Sequence, residues 1–186
     1  MTKTKEQFDS VISTCRSLFA KKLQDYGASW RIMRPQSVTD QILIKAKRIR
    51  SLEETKVNKV GDSISSEFTA IVNYCVIAMI QLERGYSETV DMNEKEALAL
   101  YDKYIQQTMD LLFAKNHDYG EAWRIMRISS YTDLILVKLY RIKQIEDNNG
   151  KTLVSEGIVS NYMDILNYSV FGLIKIEYPE DQKGYL

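Results

Sequence analysis

The apolar positions along the chain recur at the spacing of an α-helix. Near the N-terminus they fall three and four residues apart, at Phe8, Val11, Ile12, Cys15, Leu18 and Phe19. This spacing places them on one face of a helix. Breakers such as Asn148-Asn149-Gly150 separate the helical stretches, and no alternating strand pattern competes. The chain is therefore predicted to be all-α.

The same helical unit occurs twice. Residues 25–49 align with residues 118–142 at an offset of 93, with 16 identities in 25 positions. Upstream, Leu18-Phe-Ala-Lys21 matches Leu112-Phe-Ala-Lys115 after a one-residue shift, and downstream Asn73-Tyr74 matches Asn167-Tyr168 at an offset of 94. We predict a single domain over residues 1–186 that consists of one repeat at 5–85 and a second at 94–179.

Each repeat is predicted to contain three helices, at 5–23, 37–54 and 62–84 in the first and at 94–115, 130–147 and 155–177 in the second. Ser37-x-x-Asp40 and Ser130-x-x-Asp133 predict capping boxes at the start of the middle helices. Two copies in one chain can pair the faces that separate subunits would pair. We expect a helical bundle packed as an intrachain pseudo-dimer, with the functional cleft where the copies face each other.

Composition narrows the class of partner. Basic and acidic residues both total 25, so no net charge favours nucleic acid or an anionic membrane. We see no signal peptide and no apolar run long enough to span a bilayer, and therefore expect a cytoplasmic protein that is not membrane-bound. Cys15 and Cys75 are predicted to be buried free thiols. A homodimer of the whole chain stays open.

The link between the first two helices of repeat two carries candidate chemistry. Asp118, Tyr119, Trp123 and Arg124 combine a carboxylate, two aromatics and a cation, a mixture that suits stacking on a base and pairing with phosphate. The alternative is structural: Trp123 would fill the core and Asp118 would cap a helix end. For Trp123 and its counterpart Trp30 the core interpretation is favoured, and for Tyr119 and Arg124 both remain open.

Charged residues on the next two helices suggest a phosphate and metal site. Lys138 and Arg141 lie three apart on one helix face, where they would clamp a phosphate or form a solvated basic face. Glu156 and Asp164 are the candidate magnesium ligands, and Asn167 is placed with the nucleotide-binding residues. A salt bridge from Asp164 to Arg141 or Lys138 would satisfy this carboxylate equally well.

Other catalytic signatures are missing from the sequence. His117, the one histidine, is interpreted as a surface or capping group rather than a catalytic base. No Ser/His/Asp set, zinc-ligand cluster, P-loop or GxGxxG motif is present.

Repeat two resembles a known family. Its motif consists of Lys115-Asn-His-Asp-Tyr-Gly120, then Lys138-x-x-Arg141, Glu156, and Asp164-Ile-Leu-Asn-Tyr168. This motif is similar to that of the small helical family called nucleotide modification associated domain, type one. The resemblance implies functional roles for Lys115, Asn116, Asp118, Tyr119, Gly120, Lys138, Arg141, Glu156, Asp164, Asn167 and Tyr168. Ser160 stands where that family has a further aspartate.

That family is distantly similar to all-α nucleoside triphosphate pyrophosphohydrolases of the MazG and dimeric dUTPase type. Those enzymes carry Glu-x-x-Glu on the second helix, whereas this chain has Lys138-x-x-Arg141. The resemblance implies a nucleotide-binding protein of nucleotide metabolism or modification, with a magnesium-dependent pyrophosphohydrolase-like activity as the sharper hypothesis. A catalytically inactive nucleotide-sensing module, or a helical protein-interaction module, is the alternative.

Overall fold

Six α-helices account for most of the chain. The structure, a computed structural model, describes residues 3–58, 61–154 and 156–182, and at 116–119 and 182 it describes the backbone alone. The helices are α1 (Lys3–Tyr26), α2 (Pro35–Thr55), α3 (Ile64–Arg84), α4 (Glu94–Tyr119), α5 (Ile128–Asp147) and α6 (Ile158–Glu177). Short 3-10 turns lie at Ser29–Ile32, Ala122–Ile125 and Pro179–Gln182. The described residues contain no strand, which confirms an all-α bundle of two three-helix repeats.

The first helix of each repeat is longer than predicted. α1 and α4 continue through the Asp-Tyr pair that the sequence had assigned to an irregular link. Both helices end at a glycine with positive φ, 67° at Gly27 and 62° at Gly120. This conformation favours glycine because it has no Cβ to clash with the backbone. The link is consequently short and holds a single 3-10 turn.

The predicted capping boxes are wrong. α2 begins at Pro35, two residues before Ser37, and proline suits a first helical position because its missing N–H has no partner there anyway. α5 likewise begins before the predicted cap, at Ile128. The carboxylates of Asp40 and Asp133 pair instead with cations of the other repeat, and so stabilise the packing of the repeats rather than a helix end.

The two repeats pack through reciprocal contacts. Thr39 donates a hydrogen bond to Glu146 at 2.6 Å, and its counterpart Thr132 donates one to Glu53 at 2.9 Å. The ion pairs are reciprocal in the same way, Lys143 with Asp40 at 2.5 Å and Arg50 with Asp133 at 2.7 Å. Because each contact has a symmetry-related twin, α2 and α5 meet as two subunits of a twofold dimer would.

α2, α3, α5 and α6 make the most extensive contacts and form the centre of the bundle, with α1 and α4 packed on it. The burial pattern aligns α1 with α4 at an offset of 93 throughout, so the one-residue shift inferred from sequence is wrong. The buried positions of the two helices correspond in order: Thr4, Gln7, Phe8, Val11, Ile12, Cys15 and Phe19 in α1, and Ala97, Leu100, Tyr101, Tyr104, Ile105, Thr108 and Leu112 in α4. The structural counterpart of Lys115 is therefore Lys22.

Both cysteines lie in the core as free thiols, as predicted. Burial raises the pKa of Cys15 to about 12 and that of Cys75 well above its ordinary value. Because the thiolate is the reactive form, neither residue is suited to act as a nucleophile. Among the described helices, α3 is long and apolar enough to span a membrane, but 72% of that stretch is buried inside the protein.

The glutamates at the repeat interface make stability depend on pH. Burial raises the pKa of Glu53 and Glu146 above the ordinary 4.5, although the threonine hydrogen bonds oppose the shift. Below pH 4.5 such a carboxyl is protonated in both the folded and the unfolded state, and its contribution to the free energy of unfolding is fully present. This contribution is lost as the pH rises through the raised pKa of the folded state. Glu53→Gln/Glu146→Gln should therefore gain stability relative to the native protein between pH 4 and pH 7.

This gain is measured as the difference in free energy of unfolding between the double variant and the native protein, by urea denaturation at each pH. Glu88→Gln, at an exposed glutamate, is the matched control. A difference that stays constant over the pH range would show that the two interface carboxyls are ionised as easily in the folded protein as in the unfolded chain.

Candidate functional site

Two lysines converge on one buried carboxylate in repeat two. Asp164, on α6, is 7% exposed. Its Oδ2 accepts a hydrogen bond from Lys138 Nζ on α5 at 2.6 Å, and its Oδ1 accepts one from Lys115 Nζ on α4 at 2.9 Å. All three helices of the repeat thus contribute to this group, which we call the Asp164 cluster.

The cluster is held by its own electrostatics. Burial by itself lowers the pKa of Lys115, but the hydrogen bond and charge of Asp164 outweigh it, so the pKa is raised. Lys115 therefore stays protonated at neutral pH. Its side chain is 43% exposed and that of Lys138 is 14% exposed, so the lysines connect the buried carboxylate with the solvent.

Arg141 and Glu156 flank the Asp164 cluster. Arg141, one helical turn after Lys138, is exposed and forms no ion pair with any residue that the structure describes. Glu156 is also exposed, and its charge acts on Lys115. The salt bridge proposed for Asp164 is confirmed for Lys138, whereas the second partner is Lys115 rather than Arg141. Among the described side chains, the cluster and its flanking residues comprise three cations and two carboxylates.

These residues do not fit a resident magnesium ion. Both oxygens of Asp164 already accept hydrogen bonds from ammonium groups, and two neighbouring positive charges disfavour a third cation. Among the described residues there is no group of three or more histidine, cysteine, aspartate or glutamate side chains that would hold a metal. The magnesium site at Glu156 and Asp164 stays a prediction without support from this arrangement.

Part of the sequence motif lies outside the described side chains. The backbone places 116–119 in the last turn of α4, but the side chains of Asn116, His117, Asp118 and Tyr119 are not described. The roles predicted for Asp118 and Tyr119 in nucleotide binding, and for His117 as a surface or capping group, are therefore left as predictions.

Trp123 and Arg124 are buried in the structure. Trp123 is 6% exposed and its ring stacks on Phe171, with centroids 4.4 Å apart. Arg124 is 2% exposed and donates hydrogen bonds to Thr4, Gln7 and Glu121 at 2.6–2.9 Å. These contacts match the structural interpretation of both residues. For a ligand to reach either side chain, the surrounding packing would have to open.

Asn167 is buried with one atom unsatisfied. Its Oδ1 has no hydrogen-bond donor among the residues that the structure describes, whereas the counterpart Asn73 accepts a hydrogen bond from the Tyr101 hydroxyl at 2.9 Å. The residue equivalent to Tyr101 is Phe8, which has no hydroxyl to donate. An acceptor left unpaired in the interior costs about 1–3 kcal/mol. Asn167 therefore has a free acceptor beside the motif residues.

Repeat one keeps a buried carboxylate, but at another position. The sequence alignment places Ala70 opposite Asp164, so repeat one lacks the central carboxylate at that position. In the structure Glu67, one turn earlier on α3 and 2% exposed, pairs with Lys45 at 3.2 Å and Arg48 at 3.1 Å. A residue one helical turn away faces the same neighbouring helix, so Glu67 pairs with the middle helix of its repeat as Asp164 does in repeat two.

A cavity of about 310 Å³ lies beside Ala70. Its walls come from repeat one alone, whereas the functional cleft was predicted between the repeats, where a second pocket lies. Six lining residues of the repeat-one cavity are the counterparts of motif residues in repeat two: Lys22, Tyr26, Gly27, Ala70, Asn73 and Tyr74. Sequence reasoning missed this cavity, although the loss of a carboxylate at Ala70 was a visible signal of open space.

The comparisons with known proteins agree with this pairing of residues. The family model of nucleotide modification associated domain 1 matches twice, over residues 22–82 and 115–176. The two matches begin at Lys22 and Lys115, the positions that burial aligns. No curated protein and no solved structure matches the chain, and nothing in the comparisons supports a similarity to MazG-type or dimeric dUTPase-type enzymes. The chain belongs to the nucleotide modification associated domain 1 family, of which it carries two tandem copies.

Proposed function

We propose that the protein binds a nucleotide and that the Asp164 cluster, together with Arg141, holds its phosphate groups. The observation that carries this proposal is the convergence of Lys115 and Lys138 on Asp164, beside Arg141, which forms no ion pair with a described residue. The family description, which associates the domain with nucleotide modification, supports the same ligand class.

Asp164 positions the two lysines for an anion. Each ammonium has three donors, and the carboxylate occupies one donor of each. The carboxylate also separates two positive charges that would otherwise repel each other. Donors that remain on Lys115, whose side chain is 43% exposed, are open to phosphate oxygens from solvent. A phosphate would add a second negative partner to the lysines, while Asp164 keeps its hydrogen bonds to both.

Arg141 completes the phosphate end of the proposed site. A guanidinium binds phosphate in a two-pronged geometry and remains charged at all physiological pH values. Arg141 is three residues after Lys138 on α5, so both side chains leave the same face of that helix. The role of Tyr119 in stacking on the base rests on the sequence alone, and the buried Oδ1 of Asn167 lacks a donor among the described residues.

Binding without a resident metal follows from the same arrangement. The lysines already neutralise the charge that magnesium would neutralise, so the proposed site accepts the nucleotide with or without the cation. We assign no hydrolytic step to these residues, since both oxygens of Asp164 already accept hydrogen bonds from the lysines. The pyrophosphohydrolase-like activity remains an untested hypothesis.

Thermal melting against nucleoside mono-, di- and triphosphates, with and without magnesium, tests the proposal. Ligand binding raises the melting temperature by mass action. We expect nucleotides to raise the melting temperature equally with and without magnesium. Arg141→Ala should weaken the apparent affinity for the nucleotide at least tenfold. Lys47→Ala, which removes an exposed cation from α2, should leave the rise unchanged.

Two results would contradict the proposal. One is the absence of any shift at millimolar nucleotide in a protein that melts cooperatively. The other is a shift that Arg141→Ala and Lys47→Ala reduce equally, because this would indicate general screening of charge. A shift that requires magnesium would instead revive the metal site at Glu156 and Asp164.

A further inference from the structure

The cavity in repeat one has no role in the phosphate site of repeat two. It is bounded by the end of α1, the 3-10 turn Ser29–Ile32 and the middle of α3. Its volume of about 310 Å³ lies at the lower end of the range for small-molecule sites, which is about 300–1,000 Å³. An apolar cavity of about 150 Å³ already holds benzene.

Two substitutions and one changed contact distinguish this part of repeat one from its counterpart in repeat two. Asp164 is replaced by Ala70, so no carboxylate occupies the space. Phe171, which stacks on Trp123, is replaced by the smaller Ile77. Lys115, which bonds to Asp164, corresponds to Lys22, which is exposed and forms no ion pair with a described residue. The groups that fill the site in repeat two are thus smaller or unengaged here.

The walls of the cavity are mainly apolar and aromatic. Trp30, Tyr26 and Tyr74 line it, together with the aliphatic side chains around them. Aromatic side chains favour flat, polarisable ligands, which stack on their faces. A cavity with these walls disfavours a charged ligand, because burying an unpaired charge is costly.

The wall also carries polar groups. Ser29 and Asn73 line the cavity beside the aromatic side chains. A flat ligand that carries acceptor atoms on its ring can accept a hydrogen bond from the Ser29 hydroxyl, whereas a pure hydrocarbon cannot. The buried Nε1–H of Trp30 has no acceptor among the described residues, but neither has that of Trp123 in the filled repeat, so this donor does not distinguish the cavity.

From these observations we infer that the repeat-one cavity is a second binding site, which takes a neutral, flat heteroaromatic ring of the nucleobase class. The ring lies among Trp30, Tyr26 and Tyr74, and its acceptors face the polar groups of the wall. A sugar or phosphate attached to the ring remains at the rim, where Lys22 is located. In this inference repeat one has kept open the space that the larger Asp164 and Phe171 occupy in repeat two.

Fluorescence of Trp30 tests this inference directly. In the Trp123→Phe variant Trp30 is the one remaining tryptophan, since the chain has two. Adenine, uracil and thymine, and the corresponding nucleosides and nucleoside monophosphates, are titrated into this protein with excitation at the tryptophan band. We expect saturable quenching by at least one base, with the nucleoside and monophosphate series showing how much of the ligand the rim accepts.

Two variants that fill the cavity complete the test. Ala70→Phe adds a ring in the open space, and Ile77→Phe reproduces the residue that repeat two has at this place. Each should weaken quenching at least tenfold. Ala99→Phe makes the same change at an exposed position of α4 outside the cavity and should leave quenching intact.

The outcome is independent of the phosphate site. Arg141→Ala should leave the quenching of Trp30 unchanged, so a failure of the proposed phosphate site does not affect this readout. The inference is overturned if no base or nucleoside quenches Trp30 at millimolar concentration. It is also overturned if both cavity-filling variants keep the helical circular dichroism of the parent protein and bind as tightly as it does.

Discussion

Replacing Arg124 with alanine should lower the free energy of unfolding by about 2–6 kcal/mol, because it leaves two buried acceptors without their donor at about 1–3 kcal/mol each. The guanidinium is 2% exposed, and it donates hydrogen bonds to Thr4 and Gln7 of α1 and to Glu121 of the link. It also lies over the Trp123 ring at 4.2 Å. Urea denaturation followed by circular dichroism measures the loss.

The size of this effect follows from what the arginine joins. α1 begins at Lys3, and Arg124 bonds its first turn to the opposite repeat. Gln7 continues the network to Asp181, which also pairs with Lys3 at 2.6 Å. Without Arg124, acceptors on Thr4 and Gln7 would be buried without a donor. Lysine should not restore stability, because a single ammonium cannot reproduce the directions of several guanidinium donors.

Arg16→Ala is the matched control for Arg124. Arg16 forms a two-pronged pair with Asp102 at 2.6 and 2.8 Å, but both side chains are exposed. An exposed pair is worth about 0–1 kcal/mol. Equal destabilisation by the two substitutions would contradict the structural role of Arg124. It would also reopen the hypothesis that this arginine binds phosphate.

Asp164→Ala should lower the free energy of unfolding by about 3 kcal/mol, the lower end of the cost of removing one partner from a buried ion pair. Lys138, whose side chain is 14% exposed, would keep its charge with no carboxylate beside it. Lys115 is 43% exposed and would turn to solvent at a smaller cost. The same change should abolish nucleotide binding, since the lysines would no longer be held together.

A second substitution separates charge from packing at Asp164. Asp164→Leu/Lys138→Met removes both partners, and replacing a buried ion pair by apolar residues is often neutral or stabilising. We therefore expect the double variant to recover most of the stability lost in Asp164→Ala, but not nucleotide binding. If the single variant melts like the native protein, the buried pair with Lys138 does not contribute to stability.

Glu67→Ala is the corresponding change in repeat one. Glu67 is 2% exposed and pairs with Lys45 and Arg48, so its loss should destabilise the protein as much as the loss of Asp164. Nucleotide binding should be retained, because the Asp164 cluster is untouched. This comparison distinguishes an effect on the site from an effect on stability alone.

Sequence reasoning identified the components of the site better than their arrangement. Lys138 and Asp164 were both candidates from sequence, and they meet at 2.6 Å. Lys115 was known from the motif, but its bond to Asp164 was not expected. A motif shows which residues recur, whereas a contact between α4 and α6 depends on how the helices pack. For the same reason Arg124 was a candidate ligand by residue type but is buried in the structure.

The sequence by itself determined the six helices, the duplication and the all-α class of this protein. These depend on local rules: apolar residues at helical spacing form one face, and a repeated string repeats its local structure. The tertiary structure decided the partners of Asp40, Asp133 and Asp164, and it decided which repeat retains a cavity. Helical spacing states which residues share a face but not which helix that face meets. A smaller residue, such as Ala70 in place of Asp164, leaves open space only where the neighbouring side chains do not fill it.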